Sequence, residues 1–191
     1  MDKSELLGLK EPVSALVIGG REGIGGAIAQ VLLSDPSTVS VTVTSRDTEW
    51  VAEPTSDSRL HRRLLDVTKT DQLQGLAEEL RHRQAGLNVI LNCTGVLHTK
   101  GFGPERSWRH LDMDTMQQVF AVNTFGVALT VRYLLPLLPR DRRAIFASIS
   151  ARVGSGKEPK TVAVTVVVLQ RQYSELWTMQ SPRQPPSATV G

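Results

Sequence analysis

The feature that most constrains this chain is a glycine cluster placed between a strand-like segment and a helix-like segment. Residues 14–18, SALVI, form a short apolar run that predicts a buried strand. The string VIGGREGIGGA then places Gly19, Gly23 and Gly25 at a Gly-x-x-x-Gly-x-Gly spacing. Glycine permits a tight turn and close backbone approach, and the N–H groups that open a helix bind phosphates. The pattern predicts a phosphate-binding turn; the alternative is a plain strand-to-helix connection.

Strand-like and helix-like segments alternate along the rest of the chain. The apolar positions Ala27, Ile28, Val31 and Leu32 have helical spacing, and Asp35-Pro36 ends that helix. We predict further strands at 39–44, 59–67, 87–92 and 143–150, helices at 70–83 and 112–138, and a loop at 50–58. Thr68 or Thr70 is expected to cap the second helix, and Pro136 to kink or end the third. This order predicts an α/β fold with a parallel sheet between two layers of helices.

Composition narrows the class of protein. The 191 residues are 40% hydrophobic and 21% charged with a net charge of +3, which is typical of one globular domain with or without a tail. The basic residues are scattered, which argues against nucleic acid as a partner. A single cysteine, Cys93, excludes an internal disulfide and is expected to be a buried apolar side chain, not a nucleophile. The longest apolar run, near 162–169, is too short to span a membrane, so we expect a cytoplasmic protein.

Several motifs at matching positions resemble the short-chain dehydrogenase/reductase family. The glycine spacing matches the family's Thr-Gly-x-x-x-Gly-x-Gly loop, with Ile18 at the threonine position. Asp66-Val67 ends the third strand, Asn92-Cys93-Thr94-Gly95 resembles Asn-Asn-Ala-Gly, and 123–126 matches Asn-x-x-Gly. The string ASISARVGS resembles C-factor-like and carbonyl-reductase-like members in particular. The resemblance spans residues 14 to about 155 and implies a Rossmann-type, doubly wound parallel sheet in a three-layer α/β/α arrangement.

The resemblance also implies a nicotinamide cofactor and a set of binding residues. These are Gly19, Arg21, Gly23, Ile24, Gly25, Arg46, Asp66, Val67, Asn92 and Gly95. An acidic residue after the second strand favours NAD, whereas this chain has Thr44-Ser45-Arg46 there. Arg46, supported by Arg21, suits the 2′-phosphate, so we predict NADP, with NAD less favoured because Asp47 follows. There are two alternatives. Both arginines could be plain surface residues, and Asp66 could be a turn residue in place of an adenine ligand. No metal is expected.

Two residues are predicted to act at the reacting end. Asn123 matches the family asparagine that holds an active-site water; a hydrogen-bonded core asparagine is the alternative, because its helix face is otherwise apolar. Ser150, with Ser148 as the second choice, matches the serine that hydrogen-bonds the substrate carbonyl. The resemblance therefore implies an oxidoreductase acting on a small carbonyl or alcohol.

The family's Tyr-x-x-x-Lys pair is missing from the printed sequence. The two tyrosines, Tyr133 and Tyr173, are not followed by lysine four residues on. The short stretch from Ser150 to Thr161 leaves no room for the helix that carries the pair. We therefore divide the chain into a nucleotide-binding domain at 1–155 and an atypical tail at 156–191, with a strand at 161–170 and disorder at 181–191. The C-terminal part is expected to be incomplete, the family-type dimer doubtful, and an NADP-binding but inactive or truncated product is the alternative function.

Overall fold

A computed structural model describes residue 9 and residues 12–83, 86–97 and 107–149. Five parallel strands form one sheet in the order β3-β2-β1-β4-β5. The strands are β1 (Val13–Ile18), β2 (Thr38–Ser45), β3 (Leu60–Leu64), β4 (Val89–Asn92) and β5 (Ile145–Ser148). The predicted doubly wound parallel sheet is confirmed, and the strand order reverses between β1 and β4.

Helices connect the strands and cover both faces of the sheet. They are α1 (Gly23–Ser34), α2 (Thr48–Ala52), α3 (Thr70–His82), α4 (Met113–Phe120) and α5 (Val127–Leu134). A π-helical turn, Ala121–Gly126, joins α4 to α5, and short 3-10 turns lie at Trp108–His110 and Leu135–Leu137. The predicted third helix therefore exists, but it is interrupted at 121–126. It ends in the turn that contains Pro136, as predicted.

Strand β1 shows how the sequence produces three layers. All six of its residues are buried. Leu16 and Ile18 pack on the side of α3 and α5, and Ala15 and Val17 pack on the side of α1. Successive side chains of a strand point to opposite faces, so a strand covered on both sides is mostly apolar on both, and Ser14 is the single polar residue of β1. The apolar run at residues 14–18 is therefore the central strand of the sheet.

Three local predictions are wrong. The segment predicted as a loop at 50–58 overlaps α2, a helix of five residues that is too short to show a helical hydrophobic pattern. Helix α3 is preceded by Lys69 without a side-chain cap, because the hydroxyl of Thr68 bonds Asp66 instead. Val31, predicted on the buried face of α1, is 51% exposed, whereas Ala29 and Leu32 carry the contact with the sheet.

The helical stretch Met113–Leu137 is long and apolar enough to cross a membrane by length and composition, with a mean hydropathy of 1.4. A search for uninterrupted apolar runs in the sequence misses this stretch, because polar residues such as Gln117 and Asn123 divide it. Its second half packs on the sheet through the buried Thr130 and Leu134. The core helix of a globular protein has the same composition.

Predictions for 150–191 fall outside the described residues. They are the catalytic Ser150, the incomplete C-terminal part, the strand at 161–170 and the disorder at 181–191.

Candidate functional site

A pocket of about 590 Å³ lies at the carboxyl ends of the strands, where the strand order reverses. Ligands of open α/β sheets bind in the crevice at such a reversal. Six of the predicted cofactor residues line it: Gly19, Arg21, Arg46, Asp66, Val67 and Gly95. Eight lining residues were not predicted: Glu22, Ser45, Asp47, Leu65, Cys93, Thr94, Val96 and Val122. Gly23, Ile24, Gly25, Asn92 and Asn123 lie outside the lining set.

The glycine loop needs glycine for reasons visible in its backbone. Gly19 and Gly23 have φ angles of 75° and 61°, in the left-handed region that other residues adopt only with strain. A Cβ on Gly25 would lie 2.4 Å from the carbonyl oxygen of Gly19, so a side chain there would push α1 off the loop. A Cβ on Gly23 would meet nothing within 4 Å, so the backbone is open to a ligand there. These are the two uses of glycine that the spacing predicted.

The N-terminus of α1 opens from this loop. Its N-cap residue is Glu22, whose side chain makes no capping hydrogen bond, and the first turn holds no acidic residue. The first N–H groups of a helix have no partner inside the helix and attract anions. Ile24 is exposed in this first turn and carries no polar group. The open backbone and the helix terminus together fit the phosphates of a dinucleotide.

Thr44 holds the start of the loop from the neighbouring strand. Its Oγ1 accepts a hydrogen bond of 3.3 Å from the N–H of Gly19, and its carbonyl oxygen accepts one of 3.1 Å from the N–H of Gly20. Thr44 is fully buried at the end of β2. Ile18, at the position where the resembling family has threonine, offers no hydroxyl. A threonine in the string VTVTS was the available signal, but the pairing of β1 with β2 was needed to interpret it.

The predicted phosphate arginines differ in their surroundings. Arg21 forms an ion pair with Asp47, whose other oxygen accepts a 2.9 Å hydrogen bond from the N–H of Trp50 and caps α2. That backbone hydrogen bond, helped by the charge of Arg21, holds the pKa of Asp47 below its usual value. Arg46 is exposed at the pocket and forms no ion pair within the described part of the chain.

Asp66 is used as a turn residue and also faces the pocket. Its carboxylate accepts hydrogen bonds from the N–H of Thr68 at 3.0 Å and from the Thr68 hydroxyl at 2.7 Å. Burial acts to raise the pKa of Asp66, but these hydrogen bonds and the charges of Arg46 and Lys69 outweigh it, and the pKa is lowered. The turn interpretation is confirmed, and the adenine contact stays a prediction. Val67 is buried beside it and touches the position where Gly126 has no side chain.

The segment after β4 is fixed by neutral hydrogen bonds. The Oδ1 of Asn92 accepts from the N–H of Thr94 at 3.1 Å and from its hydroxyl at 2.7 Å. The Nδ2 of Asn92 is buried without a partner among the described residues. Cys93 is half-buried and lines the pocket, and this burial raises the pKa of its thiol to about 11, which disfavours the reactive thiolate. That Cys93 is not a nucleophile stays a prediction.

Asn123 lies in the π-helical turn and is exposed, so the alternative of a core asparagine is wrong, and its role at an active-site water stays a prediction. Its side chain binds one residue of the neighbouring segment through both of its polar atoms. The N–H of Val96 donates to Oδ1 at 2.8 Å, and Nδ2 donates to the Val96 carbonyl at 2.7 Å. This bridge ties the helix to the loop after β4. A π-helical turn inserted in an α-helix is frequent at functional sites.

Ser150 is outside the described residues, but the strand that leads to it is described. Ser148, the second choice for the catalytic serine, ends β5 opposite Asn92 of β4. The N–H of Ile149 donates to the carbonyl of Asn92 at 2.9 Å, so pairing with β4 continues beyond the strand.

Comparison with known proteins agrees with this geometry. A model of the family described as short chain dehydrogenase matches residues 14–163. The short-chain dehydrogenase/reductase AacuF of Aspergillus aculeatus is 31% identical over 144 residues, which cover 72% of this chain and 54% of AacuF. The 3-oxoacyl-[acyl-carrier-protein] reductase FabG of Aquifex aeolicus is 27% identical over 73% of this chain and 56% of FabG. The Sniffer structure of Caenorhabditis elegans superposes with a TM-score of 0.65 at 28% identity, over 80% of this chain and 68% of Sniffer. The chain spans about half the length of the two curated relatives.

Proposed function

The chain belongs to the short-chain dehydrogenase family, and from that premise we propose that it is an NADP(H)-binding oxidoreductase acting on a carbonyl or alcohol. The family uses nicotinamide cofactors. AacuF and FabG carry dehydrogenase and reductase in their names, which supports this class of reaction. Residues 1–155 are proposed as the nucleotide-binding unit.

The observation that carries the proposal is the glycine loop at the reversal of strand order. Gly19 and Gly23 have positive φ, and Gly25 packs against the Gly19 carbonyl with no space for a Cβ. The loop directs the open N-terminus of α1 toward the pocket mouth, where Gly19, Arg21 and Glu22 are lining residues. This arrangement supports a diphosphate bound by backbone N–H groups, because close approach requires both absent side chains and unpaired donors.

NADP is proposed over NAD because of the side chains that follow β2. A carboxylate there recognises the ribose hydroxyls of NAD. Here Ser45 ends the strand, and the two oxygens of Asp47 already bind Trp50 and Arg21. Arg46 lines the pocket, and a guanidinium binds phosphate through paired N–H donors. This combination favours the extra 2′-phosphate of NADP.

At the other end of the pocket we propose that Ser150 and Asn123 act on the substrate side. A bound nicotinamide supplies or accepts the hydride. Ser150 follows Ile149, which pairs with the end of β4, so its hydroxyl is expected near the substrate oxygen, to which it would donate a hydrogen bond. Asn123 would hold the loop after β4 through Val96 and thereby shape this end.

The group that transfers the proton is not assigned. Tyr133 is partly buried against the core next to α3, away from the pocket lining, and Tyr173 is not followed by lysine four residues on. Binding and turnover must therefore be measured separately.

The test is a titration of the full chain with NADPH and NADH, followed by fluorescence, beside a carbonyl-reduction assay with the same protein. We expect NADPH to bind at least about tenfold more tightly than NADH, and Arg46→Gln to remove most of that difference. Arg81→Gln, an exposed arginine on α3, is the matched control and should change nothing. Absence of binding by both nucleotides would overturn the proposal, and binding without NADPH consumption would support a cofactor-binding protein without turnover.

A further inference from the structure

Asp47 lines the same pocket as the two arginines proposed to bind the 2′-phosphate, and its two oxygens have different partners. Oδ1 accepts the Trp50 N–H and caps α2, which is a structural use. Oδ2 pairs with the guanidinium of Arg21 from the glycine loop, and both residues line the pocket. The side chains of Arg21 and Asp47 are 45% and 30% exposed, so a ligand in the pocket can reach the pair.

The charges around the pocket make this pair significant. The charged lining residues are Arg21, Glu22, Arg46, Asp47 and Asp66, so acids outnumber bases. A phosphate monoester carries between one and two negative charges at neutral pH. When it enters, it must share Arg21 with Asp47, and it also meets the charge of Asp47 itself. NAD lacks this phosphate, so its binding involves neither the competition for Arg21 nor the repulsion by Asp47.

We infer that Asp47 is a specificity-determining residue that competes with the 2′-phosphate for Arg21 and so limits the preference of the site for NADP over NAD. This inference rests on the proposed function, because it concerns the same pocket and the same nucleotide. It assigns to Asp47 two separable roles: the cap of α2, which needs only an oxygen, and the competition, which needs a negative charge.

Asp47→Asn separates the two roles. Asparagine caps helices about as well as aspartate, so α2 should keep its first turn. The amide carries no charge, so Arg21 is released to the phosphate. Exposed ion pairs are weak, and we expect the Kd for NADP to fall only about fivefold, with the Kd for NAD unchanged within about twofold. The gain should shrink at high salt, since it depends on charges that solvent screens.

Two further variants make the test specific. Glu49→Gln removes an equal charge from an exposed position in the first turn of α2 outside the pocket lining, and it should leave both Kd values unchanged. In an Arg21→Gln background, Asp47→Asn should give no gain, because the released partner is gone. Asp47→Ser, which also caps without charge, replaces Asp47→Asn if that variant has a lower Tm.

The outcomes distinguish this inference from the proposed function. If Asp47→Asn weakens NADP binding, Asp47 positions Arg21 for the phosphate, and the competition is wrong. If Asp47→Asn tightens the binding of both nucleotides equally, or if NADP binding still tightens in the Arg21→Gln background, the effect comes from the change in net charge. The inference then also fails. Both results leave nucleotide binding intact. Absence of nucleotide binding by the unaltered chain and by Glu49→Gln overturns the proposed function itself, and the inference with it.

Discussion

The two ends of the pocket are built from different chemistry. The charged end consists of Arg21, Glu22, Arg46, Asp47 and Asp66, at the carboxyl side of β1, β2 and β3. The neutral end consists of Cys93, Thr94, Gly95, Val96 and Val122, beside β4 and the π-helical turn. The charged end contains an ion pair and is fixed by carboxylates that also form turns and caps. The neutral end is fixed by the amides of Asn92 and Asn123, and its lining residues have no ionised side chain.

This difference matches the two parts of the proposed ligand. Phosphates need positive charge and backbone donors, which the charged end and the glycine loop provide. Hydride transfer needs neutral groups held in place, and the amide hydrogen bonds of Asn92 and Asn123 hold this end without an ionised side chain. Salt should therefore weaken the interactions of one end and leave those of the other unchanged.

Gly25→Ala should have the largest effect, because the glycine loop joins the two ends. The added Cβ would lie 2.4 Å from the Gly19 carbonyl and 3.0 Å from the Cβ of Cys93, so both ends would be displaced together. We expect NADPH binding to weaken by at least about 100-fold, because a displaced loop loses its backbone donors. The measurement is the fluorescence titration, with Tm recorded for each protein.

Gly75→Ala is the matched control for this change. Gly75 lies inside α3, and a Cβ there meets nothing within 4 Å. Alanine is the better helix former by roughly 1 kcal/mol, so this variant should be more stable and bind NADPH normally. Unchanged binding by Gly25→Ala would mean that the loop does not hold the ligand.

The reactivity of Cys93 measures how accessible the neutral end is to water. The Cys93 pKa of about 11 results from burial. Because the thiolate is the reactive form, its fraction rises with pH, and at pH 8 alkylation should be about 100-fold slower than in the unfolded chain. The rate should increase as pH approaches 11. Alkylation at the unfolded rate at pH 8 would show that this end is open to water.

At the charged end, the sequence predicted single residues better than the contacts between them. Gly19, Gly23 and Gly25 were found because their requirement is local: a positive φ or a backbone contact fits only glycine. Arg21 was found, but its partner was not, since the ion pair joins residues 26 positions apart, one in the loop after β1 and the other in the segment after β2. No periodicity records such a distance. The ion pair between Arg21 and Asp47 could be identified only from the pairing of β1 with β2.

The neutral end was predicted by resemblance more than by pattern. Asn123 was identified, but the alternative of a core asparagine is wrong, because Asn123 and Phe120 of the same predicted apolar face are both exposed. Its contact with Val96 joins residues 27 positions apart. The short α2 was missed for a different reason: a single turn capped by Asp47 is too brief to have a periodic signal.

Thr44→Val tests whether the loop is held from β2, with a smaller expected effect. Valine has the same shape but removes the Oγ1 that accepts the Gly19 N–H at 3.3 Å. Losing one such bond costs about 1 kcal/mol, so we expect the Kd for NADPH to rise about fivefold. Thr44→Ser should restore binding because it keeps the hydroxyl. Thr42→Val, a buried position two residues earlier on β2, should leave the Kd unchanged.

Asn123→Ala is expected to have the smallest effect and separates the two ends most directly. Two hydrogen bonds to Val96, at 2.8 and 2.7 Å, would be lost. The pair is exposed, so the net loss is about 1 kcal/mol, seen as roughly fivefold faster hydrogen exchange at the Val96 N–H. Because the bridge is neutral, this ratio should be the same at low salt and at about 0.5 M salt, where the gain from Asp47→Asn is screened. Thr124→Ala, on the next exposed residue, should leave the exchange rate unchanged. If the Asn123→Ala ratio falls with salt as the Asp47→Asn gain does, charge also governs this end, and the division of the pocket into two chemistries is wrong.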